Sequence, residues 1–345
     1  MFSGWLLSSL AVAYLGFLFG IAFYGDRRRI YPLQRRLRPY IYGLALGVYC
    51  TSWTFFGAVG SAVRDGWGYL PIYLGPALVF LFGLPFIERL VEVGHLHKVS
   101  SIADFIASRF GKSRALAVLV TLIALSAAIP YIALQYKAVV ASIAALTTVV
   151  SGRVPWYQDI ALAVALMLAL FAVLFGARRV DATGHREGMM LAIAFESLLK
   201  LLAFVAVGVF ACLQLRGRPW LLPPRLASGA TLFNGDALMS TLLAAAAIFC
   251  LPRQFQVGVV ECADTADLKL ARWLLPSYLG LFSVVVIPVV ALGTIDGLSL
   301  RTASDSLILT LPMSYGVSWL TVRVFLGGCP PPLRWWWWRA RLWPR

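Results

Sequence analysis

Apolar residues come in long runs separated by short charged stretches, at roughly 3–24, 40–63, 69–91, 115–148, 158–177, 188–213, 238–260 and 273–293, with a ninth beginning near 306. Each complete run supplies the roughly 20 residues that an α-helix needs to cross about 30 Å of hydrocarbon. The pattern predicts an all-α polytopic membrane protein of about nine spans. It ends abruptly: Gly327 to Arg345 reads GGCPPPLRWWWWRARLWPR and holds five of the chain's 12 tryptophans. Two readings of this stretch stay open. Trp, Arg, Pro and Gly share G/C-rich codons, which fits a shifted reading frame that truncates the ninth span; Trp and Arg also favour headgroup regions, which fits an interfacial anchor. Residues 1–326 are therefore expected to form the transmembrane domain and 327–345 an aberrant tail.

Composition narrows the class further. With 60% hydrophobic and 13% charged residues, the chain lies outside soluble averages and leaves no room for a large soluble domain. Residues 1–26 contain no Lys or Arg, so 3–24 reads as a retained span and not as a cleaved signal. Five cysteines (Cys50, Cys212, Cys250, Cys262, Cys329) make no CxxC pair, which leaves them as packing residues and not as a disulfide or zinc framework. His95, His97 and His185 fall in charged stretches without metal-ligand spacing.

The charged stretches carry topology. If alternate loops lie on opposite sides, one side receives Arg27, Arg28, Arg29, Arg35, Arg36, Arg38, Arg89, Lys98, Arg109, Lys112, Arg114, Arg178, Arg179, Arg186, Lys269 and Arg272. The other receives only Arg64, Arg153, Arg216, Arg218, Arg225 and Arg301. The positive-inside rule then puts the N-terminus outside and the richer side in the cytoplasm. It also accounts for much of the net charge of +15, with no nucleic-acid partner implied.

Polar groups at membrane depth are costly, so those present mark function or internal packing. The second run contains Tyr49-Cys50-Thr51-Ser52-Trp53-Thr54 followed by Gly57 and Gly60, and the seventh contains Cys250-Leu251-Pro252-Arg253-Gln254-Phe255-Gln256. Both are expected to break, the seventh because Pro252 removes a backbone donor. A pair of interrupted spans points to a transporter with its site near the midplane; small residues that let helices pack closely are the plainer reading for Gly57 and Gly60. The fourth run adds Tyr131, Gln135 and Lys137, and the sixth places Glu196 and Lys200 at i, i+4. That pair is either a self-neutralising structural bridge or a coupling element.

The stretch Ser101-Ile102-Ala103-Asp104-Phe105-Ile106-Ala107-Ser108-Arg109-Phe110 resembles the cytoplasmic segment after the third span of sodium/solute symporters. It also makes a sensible short helix, with Ser100 or Ser101 as N-cap and Asp104 in its first turn. Tyr49 to Leu70, Ala194 to Phe204 and Asp305 to Leu320 are more similar still to the symporter-like N-terminal module of CbrA-type bacterial sensor histidine kinases.

This resemblance implies a LeuT-type inverted-repeat fold, truncated in the second repeat, in a bacterial inner membrane with a periplasmic N-terminus. It implies sodium-coupled uptake of a small solute, an amino acid such as histidine or proline, by a module that partners cytoplasmic kinase domains. The chain itself carries no kinase motif and is not expected to be an enzyme. A solute-sensing receptor without transport and a non-functional truncation are the alternatives. The implied solute site is Thr51, Ser52, Trp53 and Thr54 facing Tyr131, Gln135, Arg253, Gln254 and Gln256. Arg253 would fork a substrate carboxylate or pair internally with Glu196 or Glu261. Sodium is expected at carbonyls near Cys50 and Trp53, with Glu196 as a charge source. The proline permease's acidic residue falls near Ser52 here, which weakens that expectation.

Overall fold

The computed structural model describes residues 4–27, 31–147, 187–229, 232, 234–298 and 304–328. The chain runs through α1 (Gly4–Arg27), α2 (Tyr31–Ala45) with a 3-10 turn Leu46–Tyr49, α3 (Ser52–Asp65), α4 (Leu70–Phe82), α5 (Leu84–Leu96), α6 (Ile102–Arg109) and α7 (Arg114–Leu146). It continues through α8 (Glu187–Gln214), α9 (Pro224–Ala227), α10 (Gly235–Cys250), α11 (Pro252–Phe255) with a π turn Gln256–Val260, α12 (Ala266–Ile295), α13 (Leu307–Ser314) and α14 (Ser318–Gly328). No strand occurs among the described residues. Arg114–Leu146, Gly188–Gln214 and Ala266–Ile295 are each long and apolar enough to cross a membrane, and two interrupted helix pairs qualify when each pair is taken as one span. The chain is thus a helical protein built for a membrane. The expected span at 158–177 and the tail from Cys329 onward lie outside the described residues.

Three runs differ from their expected form. The run at 69–91 splits at Gly83 into α4 and α5, because Pro85 in the first turn of α5 cannot donate back into α4 and is preset to start a helix. The ninth run divides into α13 and α14 at Gly316, whose φ of 73° ends the helix. The second run starts early: α2 takes in Arg35, Arg36 and Arg38, so these cations are helical and not in a loop. Conversely, α6 has the expected cap, with Ser101 Oγ accepting from the Asp104 amide at 3.2 Å and Asp104 Oδ2 accepting from the Ser100 amide at 2.9 Å.

Helices surrounded by lipid gain little from hydrophobic burial against each other, so close packing and internal hydrogen bonds hold them. Gly66, at φ 65°, reverses the chain between α3 and α4. The resulting hairpin is tied by the Tyr73 hydroxyl, which donates to the Thr54 carbonyl at 3.1 Å. On α4, a Cβ at Gly75 would stand 2.6 Å from the Ala245 nitrogen and the Thr241 carbonyl oxygen, so α4 and α10 meet at backbone contact. α12 packs against α2, α4 and α8. Where α3, α4, α8 and α12 converge, Phe55, Tyr73, Phe204, Tyr278 and Phe282 form an aromatic core, with Phe204 and Phe282 stacked at 4.5 Å.

The ion pairs at the helix ends agree with the alternation of loops. Arg38 bonds Asp264 at 3.0 Å and Asp267 at 2.8 Å, all at the ends assigned to one side. Arg64 with Asp305 at 2.8 Å, and Arg218 with Asp296 at 3.5 Å, join ends assigned to the other.

Candidate functional site between two broken helices

The first break lies where hydroxyl side chains compete with helical hydrogen bonding. Cys50 leaves the 3-10 turn at φ −76°, ψ 96°, and Thr51 is extended at φ −84°, ψ 175°. Thr51 then caps α3: its Oγ1 accepts from the Thr54 amide at 3.2 Å and lies 3.0 Å from Thr54 Oγ1. Such a break releases backbone carbonyls that need donors. Lys200 supplies one from α8, its ammonium donating to the Cys50 carbonyl at 3.0 Å and to Glu196 Oε1 at 2.9 Å. Both charged residues are buried, Lys200 at 1% and Glu196 at 3% exposure.

The second break follows α10. Leu251 is extended at φ −71°, ψ 123°, and Pro252 opens α11 on an axis bent by 56°. The chain then widens into the π turn, whose Gly258 carbonyl accepts from the Tyr42 hydroxyl of α2 at 2.7 Å. α11 packs on the 3-10 turn Leu46–Tyr49, so the two breaks adjoin. The Arg253 guanidinium sits 4.5 Å from the centre of the Tyr131 ring and donates to its hydroxyl. Gln256 turns to Glu261, its amide donating at 3.5 Å.

α7 completes the constellation. Gln135 Oε1 accepts from the Trp53 amide at 3.4 Å, which joins α7 to the first turn of α3. Tyr131, Gln135 and Arg253 line one cavity of about 620 Å³ between α6, α7, α10 and α11, with an otherwise mostly aliphatic wall that includes Ile123 and Leu243. Trp53 instead borders a small cavity of about 80 Å³ with Lys137 and Asp305. Nearby, Ser52 Oγ, Gln135 Nε2 and both amide atoms of Gln254 are buried and make no hydrogen bond to the described residues. Each such orphan costs about 1–3 kcal/mol, which a polar ligand reaching it would return.

Of the expected solute residues, then, Tyr131, Gln135 and Arg253 share a cavity, Trp53 is linked to it, and Ser52 and Gln254 hold unmet polar atoms. Thr51 and Thr54 are engaged with each other in the cap, and Gln256 with Glu261. Two of the three expected sodium ligands, Cys50 and Glu196, are already engaged by a cationic side chain. Both hold the Lys200 ammonium, so a sodium ion there would have to displace it or share their oxygens with it. Among the described residues, no group of three His, Cys, Asp or Glu side chains is placed to hold a metal ion.

Sequence reasoning singled out the Glu196–Lys200 pair but missed that Lys200 reaches the break, a contact spanning 150 residues. It also missed the Tyr42 bond to Gly258, which no local pattern signals. At the exit of the seventh run, burial pushes the Cys262 thiol up to about 12, and its Sγ donates to the Asp264 carbonyl. The Ala266 amide and the Arg38 guanidinium hold the Asp264 carboxyl below its ordinary range. Cys212 and Cys250 are exposed and so are not the packing residues expected, whereas Cys50 and Cys262 are buried.

No family model matches the sequence, and comparison with curated proteins and with solved structures returned no match.

Proposed function

We propose that the chain is a solute-binding membrane module of the sodium/solute symporter kind, with a LeuT-type arrangement, that takes a small amino acid such as histidine or proline between its two broken helices. The observation that supports this most is the adjoining of the breaks, with Arg253, Tyr131 and Gln135 on one cavity beside them. Interrupted helices at mid-membrane expose the backbone and side-chain groups that a polar solute needs. A guanidinium forks a carboxylate in two parallel hydrogen bonds, and the aliphatic wall takes an apolar side chain. Alternating access around this site would carry the solute across a bacterial inner membrane, with the cation-rich face and any partner kinase domains in the cytoplasm.

Uptake of radiolabelled histidine and proline into proteoliposomes, with glucose as the control, tests the reading. Accumulation of an amino acid and not of glucose is expected. Saturable binding without accumulation would replace the transporter by a receptor, and no binding of any amino acid would overturn the proposal.

A further inference from the structure

We infer that the chain carries its own cation at the first break: the Lys200 ammonium holds the place that a dissociable alkali ion would take, and solute binding needs no sodium. The case begins with the backbone. The Cys50 carbonyl is released where the second run leaves the 3-10 turn, and the residues on either side of the gap are extended. A buried acceptor of this kind demands a donor or a cation. Lys200 comes to it from another span at 3.0 Å, already neutralised by Glu196 one helical turn away at 2.9 Å.

The pair is buried and its helix is closely packed. Phe55 meets Phe204 of the pair's own helix edge-on, Tyr278 donates to the Ser197 carbonyl, and a Cβ on Gly327 of α14 would lie 3.6 Å from the Lys200 Cα. An ammonium and an alkali ion make the same demand on a carbonyl oxygen, one positive charge at short range. The lysine differs in being tethered, which gives it an effective concentration far above that of a dissolved competitor. A cation that cannot leave also cannot be carried down a gradient, so the driving force for any solute movement would come from elsewhere. The inference rests on the proposed function for the link to solute binding, while the cation geometry stands without it.

The test is thermal unfolding of the full chain in lipid nanodiscs, in sodium, potassium and choline chloride at equal ionic strength, together with labelled-histidine binding in each salt. The wild type is expected to melt and bind alike in all three. Lys200→Ala, which leaves Glu196 without its counter-charge, is expected to melt several degrees higher in sodium than in choline, by ligand linkage. The double variant Glu196→Gln/Lys200→Ala is expected to lose that response. Sodium-specific stabilisation of the wild type would overturn the inference, as would a folded Lys200→Ala chain indifferent to sodium. If Lys200→Ala folds in no salt, the wild-type comparison decides alone. A chain that binds no amino acid yet gives this salt pattern would sink the solute reading and keep the tethered cation.

Discussion

The two broken helices use one device and end in opposite states. At Cys50–Thr51 the backbone is largely met: Thr51 caps the Thr54 amide, Gln135 accepts from the Trp53 amide and Lys200 satisfies a released carbonyl, leaving Ser52 Oγ without a hydrogen bond among the described residues. At Leu251–Pro252 the gap leaves both polar atoms of Gln254 without a hydrogen bond among the described residues, and Arg253 lines a cavity of about 620 Å³. The lesson concerns placement of polarity. Interrupting a helix creates polar groups without partners, and the result is a structural joint where another helix meets them and a candidate binding site where they stay unmet.

The sharpest way to break this comparison is at Lys200. Removing one partner of a buried ion pair costs about 3–5 kcal/mol, whereas removing both is far milder. Lys200→Ala should therefore lose several times more stability on denaturant unfolding than Glu196→Gln/Lys200→Met. Equal losses would mean that the first break is not held by the pair. At the second break the expectation is reversed. Arg253→Ala should leave the melting temperature nearly unchanged and weaken amino-acid affinity about ten- to a hundredfold, the worth of about 1.5–3 kcal/mol for a hydrogen bond to a charged group. Full affinity in that variant would remove Arg253 from the site.

Gln254→Leu sharpens the contrast, since it replaces an unpartnered buried amide. Stability should rise by about 1 kcal/mol in calorimetry while solute binding falls; a loss of stability would show that the amide has a partner. Asp264→Asn is expected to matter least, under about 1 kcal/mol, because that ion pair is about half exposed and Arg38 keeps Asp267. Its sign with pH is fixed: the folded carboxyl lies below the unfolded value, so its contribution is present above about pH 4 and fades as pH falls through the folded value. A contribution surviving well below that range in unfolding curves against pH would contradict the assignment.

How much of this was legible follows the range of each interaction. Pro252 and the hydroxyl cluster at 51–54 act on their own backbone, so both breaks could be read from the runs. The i, i+4 spacing of Glu196 and Lys200 is likewise local, and the structure makes it an ion pair. What the ammonium does besides, reaching Cys50 from another span, depends on how α8 meets the second run. The split at Gly83 was hidden by continuous hydrophobicity through Pro85, a case where one residue outweighs a composition window. Tyr131, Gln135 and Arg253 were named from chemistry alone; their meeting in one cavity comes from the packing of α7 against α10 and α11.

The most direct test of the contrast uses native thiols, because Cys50 sits at the closed break and is buried, while Cys250 lines the cavity at the open one and is exposed. Maleimide labelling of the full chain in nanodiscs, read by peptide mass spectrometry, should modify Cys250 readily, spare Cys50, and slow at Cys250 when saturating histidine is present. Labelling of Cys50 as fast as Cys250 would contradict the account, because the first break would then be open to water.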